Sequence, residues 1–224
     1  MNLNKSREFF DPDQVEAAVH IIGCGAIGST LAENLARLGF KKLHLYDFDS
    51  VTAHNIANQM FWEEHIGKQK LDAVCEILKK INPEIELVTY PNGWQEDMTL
   101  SGYVFLCVDN IETRKQIVIE NRFNNSIQAV FDLRMRLTDA QHYAASWNNE
   151  KSKKQLLDSM NFTHEEAKAE TPMSACGTTL SVVYTVRIIT AYAVANLIKK
   201  IQENKLYKLV LIDSADFNID AFEE

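Results

Sequence analysis

The sequence predicts an α/β fold: a mostly parallel sheet flanked by helices, with antiparallel strands toward its C-terminal end. Three observations predict it. A short apolar run at residues 18–22 passes directly into Gly23-Cys24-Gly25-Ala26-Ile27-Gly28, and helical apolar spacing follows at Ile27, Leu31, Leu35 and Leu38. A second apolar run, residues 102–108, has the unbroken character of a strand buried on both faces of a parallel sheet. Residues 127–133 read as a further strand, and 134–147 continue as strands with no helix between, which calls for antiparallel pairing.

Residues 1–12 form a polar lead-in that docks by Phe9 and Phe10, and Asp11-Pro12-Asp13 opens a short helix before the first strand. Arg7 reads as a solvated charge. The first helix spans 26–38, with Gly39 as its stop. The second strand covers 42–46 and ends in Asp47 and Asp49. Strand, glycine turn, helix, strand and acid make a nucleotide-binding βαβ unit, and the fold is therefore Rossmann-like. In such a unit the first glycine permits a tight turn, the second lets a phosphate approach the backbone, and the third packs helix on strand. The phosphate then sits on free N–H groups at the helix start. An acid about 20 residues past the glycines suits a ribose hydroxyl pair, which serves NAD as well as ATP.

Residues 50–61, rich in Asn and Gln, read as a loop or short helix. An amphipathic helix is expected over 64–81, with Leu71, Val74, Cys75, Leu78 and Ile81 on one stripe and Asn82-Pro83 ending it. Lys68 and Lys70 near its start oppose the helix dipole, a misfit that suits a residue kept to meet phosphate. Strands follow at 85–89 and 102–108, the latter closed by Asp109-Asn110. Ligand groups in open parallel sheets gather beyond the carboxyl ends of strands, so Asp109 is a site candidate. A helix at 111–124 carries Arg114 in its first turn. Residues 148–170 read as a polar, mobile crossover with one or two short helices, its EEAKAE run a solvated face. A long apolar helix covers 178–200, a last strand 205–211, and the acidic tail 213–224 carries no clear signal.

A net charge of −8, from 23 basic and 31 acidic residues, argues against a general nucleic-acid surface. The four cysteines, Cys24, Cys75, Cys107 and Cys176, form no CxxC pair, so neither a zinc knuckle nor a disulfide framework is expected. Cys24, Cys75 and Cys107 lie in apolar segments and read as small core residues. The six histidines show no ligand spacing. With no apolar signal core and no run of 18 apolar residues, the expected setting is a reducing cytoplasm and no membrane.

Four islands stand in order: GCGAIG, DFDSVTAHNIANQ, GKQK before a helix ending INP, and CVDN followed by Arg114. Together they resemble the ThiF/MoeB/HesA family, the adenylating enzymes that include ubiquitin-activating enzymes. The likeness is strong over 18–133 and looser beyond. It implies one ThiF-type adenylation domain over 1–224, with a nucleotide-binding half at about 12–133 and a crossover with C-terminal helix and strand at about 134–224. It implies ATP and Mg²⁺ as cofactors and activation of a carboxylate with release of pyrophosphate; the family's paired-cysteine zinc site is absent from this chain, so no zinc is expected. The substrate would be the C-terminus of a ubiquitin-like or sulfur-carrier protein or a peptide, and the enzyme a homodimer. By position, Gly23, Gly25 and Gly28 would cradle the nucleotide. Asp49, with Asp47 as a less favoured second, would hold the ribose. Asn55 and Lys70 would contact phosphates, with Asn58, Gln59 and Arg114 in the same cofactor set. Asp109 would bind magnesium and Asn110 would shape the adenine or phosphate pocket. Lys70 and Asp109 would carry the chemistry, joined by Cys176 if the acyl group moves on to a thioester. Cys176 before a helix start would have a lowered pKa; the competing reading is a buried helix-cap thiol.

One departure matters. Asn58 stands where the resemblance implies an arginine, and a neutral amide cannot fork onto phosphate as a guanidinium does. Arg7 or a partner subunit is the available substitute. Two other functions therefore compete: a non-catalytic or half-active subunit of an activating-enzyme dimer, which Asn58 favours, and an NAD-dependent oxidoreductase, which leaves Asn55, Lys70 and Asp109 without roles.

Overall fold

In the computed structural model, which describes residues 1–175, 177 and 179–224, the first half of the chain builds the parallel sheet. Strand β1 (Val19–Ile22) is buried along its whole length. Helix α1 (Ala26–Arg37) follows and stops at Gly39, whose φ of +89° lies where only glycine is comfortable. Strand β2 (Lys42–Tyr46) comes next. The expected helix over 64–81 divides in two. A 3-10 turn covers Glu63–His65, and α2 (Lys70–Ile81) starts later because Gly67, at φ +89°, breaks the helical path. That break makes Lys70 the first helical residue. Then come β3 (Glu86–Tyr90), β4 (Gly102–Leu106), α3 (Ile111–Glu120) and β5 (Ile127–Arg136).

The second half turns the sheet antiparallel. Strand β6 (Asp139–Ser146) pairs with β5. The crossover holds α4 (Glu150–Asp158) and α5 (His164–Glu170). The last helix, α6 (Val183–Glu203), begins five residues later than its apolar run. Residues Thr179 and Ser181 are drawn instead into isolated bridges with Met173 and Leu137. Strand β7 (Tyr207–Asp213) is followed by β8 (Asn218–Glu223), a strand the acidic tail did not announce.

One eight-stranded sheet results, in the order β3-β2-β1-β4-β5-β6-β7-β8. Strands β1 to β5 are parallel, and β6, β7 and β8 pair antiparallel. The direction of winding reverses between β1 and β4, where Ile22 lies between Tyr46 and Leu106. Helices α1, α2 and α6 cover one face through Leu31, Leu35, Val74, Leu78, Ile189 and Leu197. The other face is covered by α3, α4 and the loop after β3, through Ile117, Val118, Leu156 and Trp94. Among the described residues no helix is long and apolar enough to cross a membrane.

Candidate nucleotide site

The site lies at the switch point, where β1 and β4 end side by side and ligands of open α/β sheets gather. Gly23 has φ +96°, and a Cβ there would sit 2.8 Å from the Val108 nitrogen. Its bare backbone is what allows the ends of β1 and β4 to meet. Gly28 packs α1 onto β1: a Cβ there would overlap the Gly23 carbonyl oxygen and lie 2.9 Å from that carbonyl carbon. Gly25 differs from both. It is the residue before α1, and nothing lies within 4 Å of a Cβ built on it. The helix start is therefore open above the second glycine, where a phosphate would meet free N–H groups.

Asp47 braces this turn. One carboxylate oxygen accepts from the Cys24 N–H at 2.7 Å and the other from the Asp49 N–H at 2.8 Å. Burial raises its pKa, an effect opposed by the Lys70 charge and the two backbone donors. Both oxygens being engaged, Asp47 ties β2 to the turn. The Asp49 side chain is 53% exposed and accepts from Lys70 Nζ at 2.7 Å. Lys70 is itself buried, held at the start of α2 by its own N–H on the Asp49 carbonyl at 2.9 Å. A cation seated in this way faces the open edge with little conformational freedom left to lose.

Asn55 is buried, and its Oδ1 accepts from the Thr52 N–H and hydroxyl, both at 2.9 Å, which fixes the loop after β2. Asn58 and Gln59 are half-buried on that loop, and their N–H groups bond the Asn55 carbonyl. Among the described residues Gln59 Oε1 has no hydrogen-bond partner. Asp109 is exposed at the carboxyl end of β4. Asn110 caps α3, its Oδ1 accepting from the Thr113 N–H at 2.8 Å.

Arg114 departs from its expected place among the cofactor contacts. Its guanidinium is buried and turned inward, donating to the carbonyls of Val108 at 2.7 Å, Leu106 at 3.0 Å and Leu133 at 2.9 Å, and pairing closely with Asp132. Three carbonyls at strand ends and a buried carboxylate outcompete an exposed ligand edge for its five donors. Arg7 also lies elsewhere, paired with Asp11 and Asp13. Cys176, the expected nucleophile or cap, lies outside the described residues. Asp132 and Arg134 escaped the reading of the sequence, although an acid inside the apolar run AVFDL was a visible signal.

Burial favours the protonated form of the other thiols. Burial raises the pKa of Cys24 well above its ordinary value, that of Cys75 to about 11 and that of Cys107 to about 12. Glu64, His65 and Glu76 come together away from the glycine turn. The Trp62 N–H donates to His65 Nδ1 at 3.0 Å, which places the imidazole proton on Nε2, 3.9 Å from Glu76. That tautomer leaves no nitrogen lone pair for a cation.

Comparison with known proteins bears on the family and the fold. The ThiF family model matches residues 13–224. The adenylyltransferase and sulfurtransferase MOCS3 of Mus musculus is 38% identical over 104 residues, covering 44% of this chain and 23% of that protein. Ubiquitin-like modifier-activating enzyme 5 of Bombyx mori is 34% identical over 119 residues, covering 46% of this chain and 30% of that protein. The match thus spans less than a third of either relative. Among solved structures, E. coli MccB with ATP superposes with a TM-score of 0.71 at 19% identity, covering 95% of this chain and 65% of that one. PaaA superposes at 0.70 and 18%, covering 93% and 64%. At such identities the likeness is one of fold.

Proposed function

The chain belongs to the ThiF family, and from that premise we propose that it is an ATP- and Mg²⁺-dependent adenylyltransferase. On this reading it activates the C-terminal carboxylate of a ubiquitin-like or sulfur-carrier protein or of a peptide. The observation that carries the reading is the pairing of an open helix start at Gly25 with a buried, oriented Lys70 at the same sheet edge. A carboxylate oxygen attacks the α-phosphorus, the bond to the bridging oxygen of pyrophosphate breaks, and pyrophosphate leaves as the anion. Two anions must meet for this to happen, so the site needs fixed cations and donors and no general base, the carboxylate being already ionised at neutral pH.

Each residue then has a task. The amides around Gly23, Gly25 and Gly28 receive the phosphates, and Asp49 receives the ribose hydroxyls. Lys70 meets the phosphates once the nucleotide takes the place of Asp49 as its partner, and Asn55 shapes the loop that carries Asn58 and Gln59. Asp109 is the exposed hard-oxygen ligand fit for magnesium, which when bound neutralises charge on the leaving pyrophosphate. Asn110 sets the start of α3 beside it. The whole chain, 1–224, acts as one adenylation unit, as a homodimer in the cytoplasm, with any thioester step assigned to Cys176.

A second reading has one observation in its favour. Asn58 offers no guanidinium, and Arg7 is engaged by Asp11 and Asp13, which suits a half-active subunit completed by another chain. Pyrophosphate exchange decides between them. The purified chain with ATP, Mg²⁺ and a carboxylate-terminated carrier should exchange label, and Lys70→Ala and Asp109→Ala should abolish it. A chain that is stabilised by ATP–Mg²⁺ yet exchanges nothing is the half-active partner. One stabilised by NAD and indifferent to ATP refutes the adenylation reading altogether.

A further inference from the structure

Asp132 is fully buried on β5 and serves two guanidiniums at once. It pairs closely with Arg114, and on its other oxygen it accepts from Arg134 Nε at 2.7 Å. Arg134 in turn donates to the Ser159 carbonyl at 2.8 Å and stacks on Tyr143 and Phe162. Burying an ion costs several kcal/mol, and such groups are often replaceable by apolar ones without loss of stability. Stability alone is thus a poor reason for this arrangement, and its geometry offers another. Arg114 spends its remaining donors on the Leu133 carbonyl of β5 and on the Leu106 and Val108 carbonyls at and just past the end of β4, and Val108 immediately precedes Asp109. On the far side of Asp109, Asn110 is fixed as the cap of α3. The Asp109 backbone is therefore gripped on both sides, and the upstream grip depends on how Arg114 is oriented.

We propose that Asp132 is a positioning residue: it orients the Arg114 fork so that the Val108 carbonyl is pinned and Asp109 is held in place as a metal ligand. The inference rests on the magnesium role proposed above for Asp109. Partners that orient a metal ligand commonly change metal affinity by about 10- to 100-fold when removed. Arg134, which touches Asp132 but no part of the Asp109 loop, should lack that influence.

The test uses the full chain and three variants. Wild type, Asp132→Asn, Arg114→Lys and Arg134→Met are titrated with Mg²⁺ at fixed ATP, and ATP binding is measured separately in EDTA. Asp132→Asn and Arg114→Lys should raise the half-saturating Mg²⁺ concentration about tenfold or more and leave metal-free binding within about twofold. They should also speed amide exchange at residues 108–110 in the ligand-free chain. Arg134→Met should lower the melting temperature without moving the Mg²⁺ midpoint. A merely structural role would move both affinities together or neither. An unchanged midpoint in Asp132→Asn overturns the proposal while leaving the adenylation reading intact, and so does failure of both Asp132→Asn and Arg114→Lys to fold. A wild-type chain that shows no Mg²⁺-dependent ATP binding overturns both.

Discussion

Gly28→Ala sets packing against propensity, and the two predict opposite signs. Alanine in a helix interior is favoured over glycine by about 1 kcal/mol, so propensity alone makes the variant more stable. At Gly28 the new Cβ would overlap the Gly23 carbonyl oxygen and stand 2.9 Å from its carbon and 3.2 Å from Ile21 Cγ2. Carbon–carbon contacts settle near 3.5–4.0 Å, so α1 must lift from β1 by on the order of 1 Å. The obstacle is backbone and has no rotamer to adopt. Overpacking of this kind costs up to about 3 kcal/mol, leaving a net loss of about 2 after the propensity gain. For a chain of this size, with about 2–4 °C per kcal/mol, the melting temperature should fall by about 4–8 °C. Gly25→Ala is the matched control. The methyl meets nothing within 4 Å, and what it adds is a modest backbone cost, since ψ at Gly25 is −147°, just outside the extended region. Its unfolding free energy without ligand should fall by only about 1 kcal/mol. The stabilisation from ATP–Mg²⁺, about 2.7 kcal/mol at a hundredfold excess over Kd, should disappear because the methyl occupies the phosphate's approach. Calorimetry with and without ATP–Mg²⁺ reads both. A Gly28→Ala chain that melts at or above wild type, or a Gly25→Ala chain that keeps its full ATP-dependent rise, would refute the reasoning.

Two further outcomes follow from named contacts. Burial lowers the pKa of His20 from 6.5 to about 3 and that of His142 from 6.5 to about 4, so below pH 6.5 the unfolded chain takes up protons that the folded chain refuses. Stability is fully present above that pH and declines by up to about 1.4 kcal/mol per pH unit for each histidine, on the order of 4 kcal/mol in all by pH 5. Urea unfolding between pH 7 and 5 measures it, and His142→Asn should halve the slope; a flat profile contradicts the assignment. Asn58→Arg should raise pyrophosphate exchange by about a hundredfold if a missing guanidinium limits the chemistry, whereas an unchanged rate points to a partner chain as its source.

Local features of the site were legible because they are short-range. The glycine turn, the acids after β2 and Asp109 at a strand end follow from which residues a turn or a strand terminus tolerates. Lys70 was found through its misfit with the helix dipole, and Gly67 explains why that helix starts where it does. The inward turn of Arg114 was not legible because position on a helix does not tell which way a long side chain swings, and here the carbonyls at and just past the end of β4 and a carboxylate from β5 decide. Asp132 and Arg134 are neighbours in sequence, but Arg114 and Ser159, which complete their contacts, are 18 and 25 residues away. Strand β8 hid because its apolar residues alternate with acids and none of its six residues is buried, so no core-facing pattern marked it.

Among the described residues that last strand pairs on one side only, with β7, and its other side carries a row of backbone donors and acceptors turned outward. Such margins invite a neighbouring copy to zip on. Asp216 in the preceding turn, with Asp220 and Glu223 on the strand itself, places like charges along the rim, so two copies approaching margin to margin repel within a screening length of about 8 Å at physiological salt. Acidity that looks featureless as text thus becomes, in three dimensions, a row of like charge at the sheet's rim, whose repulsion weakens as salt rises.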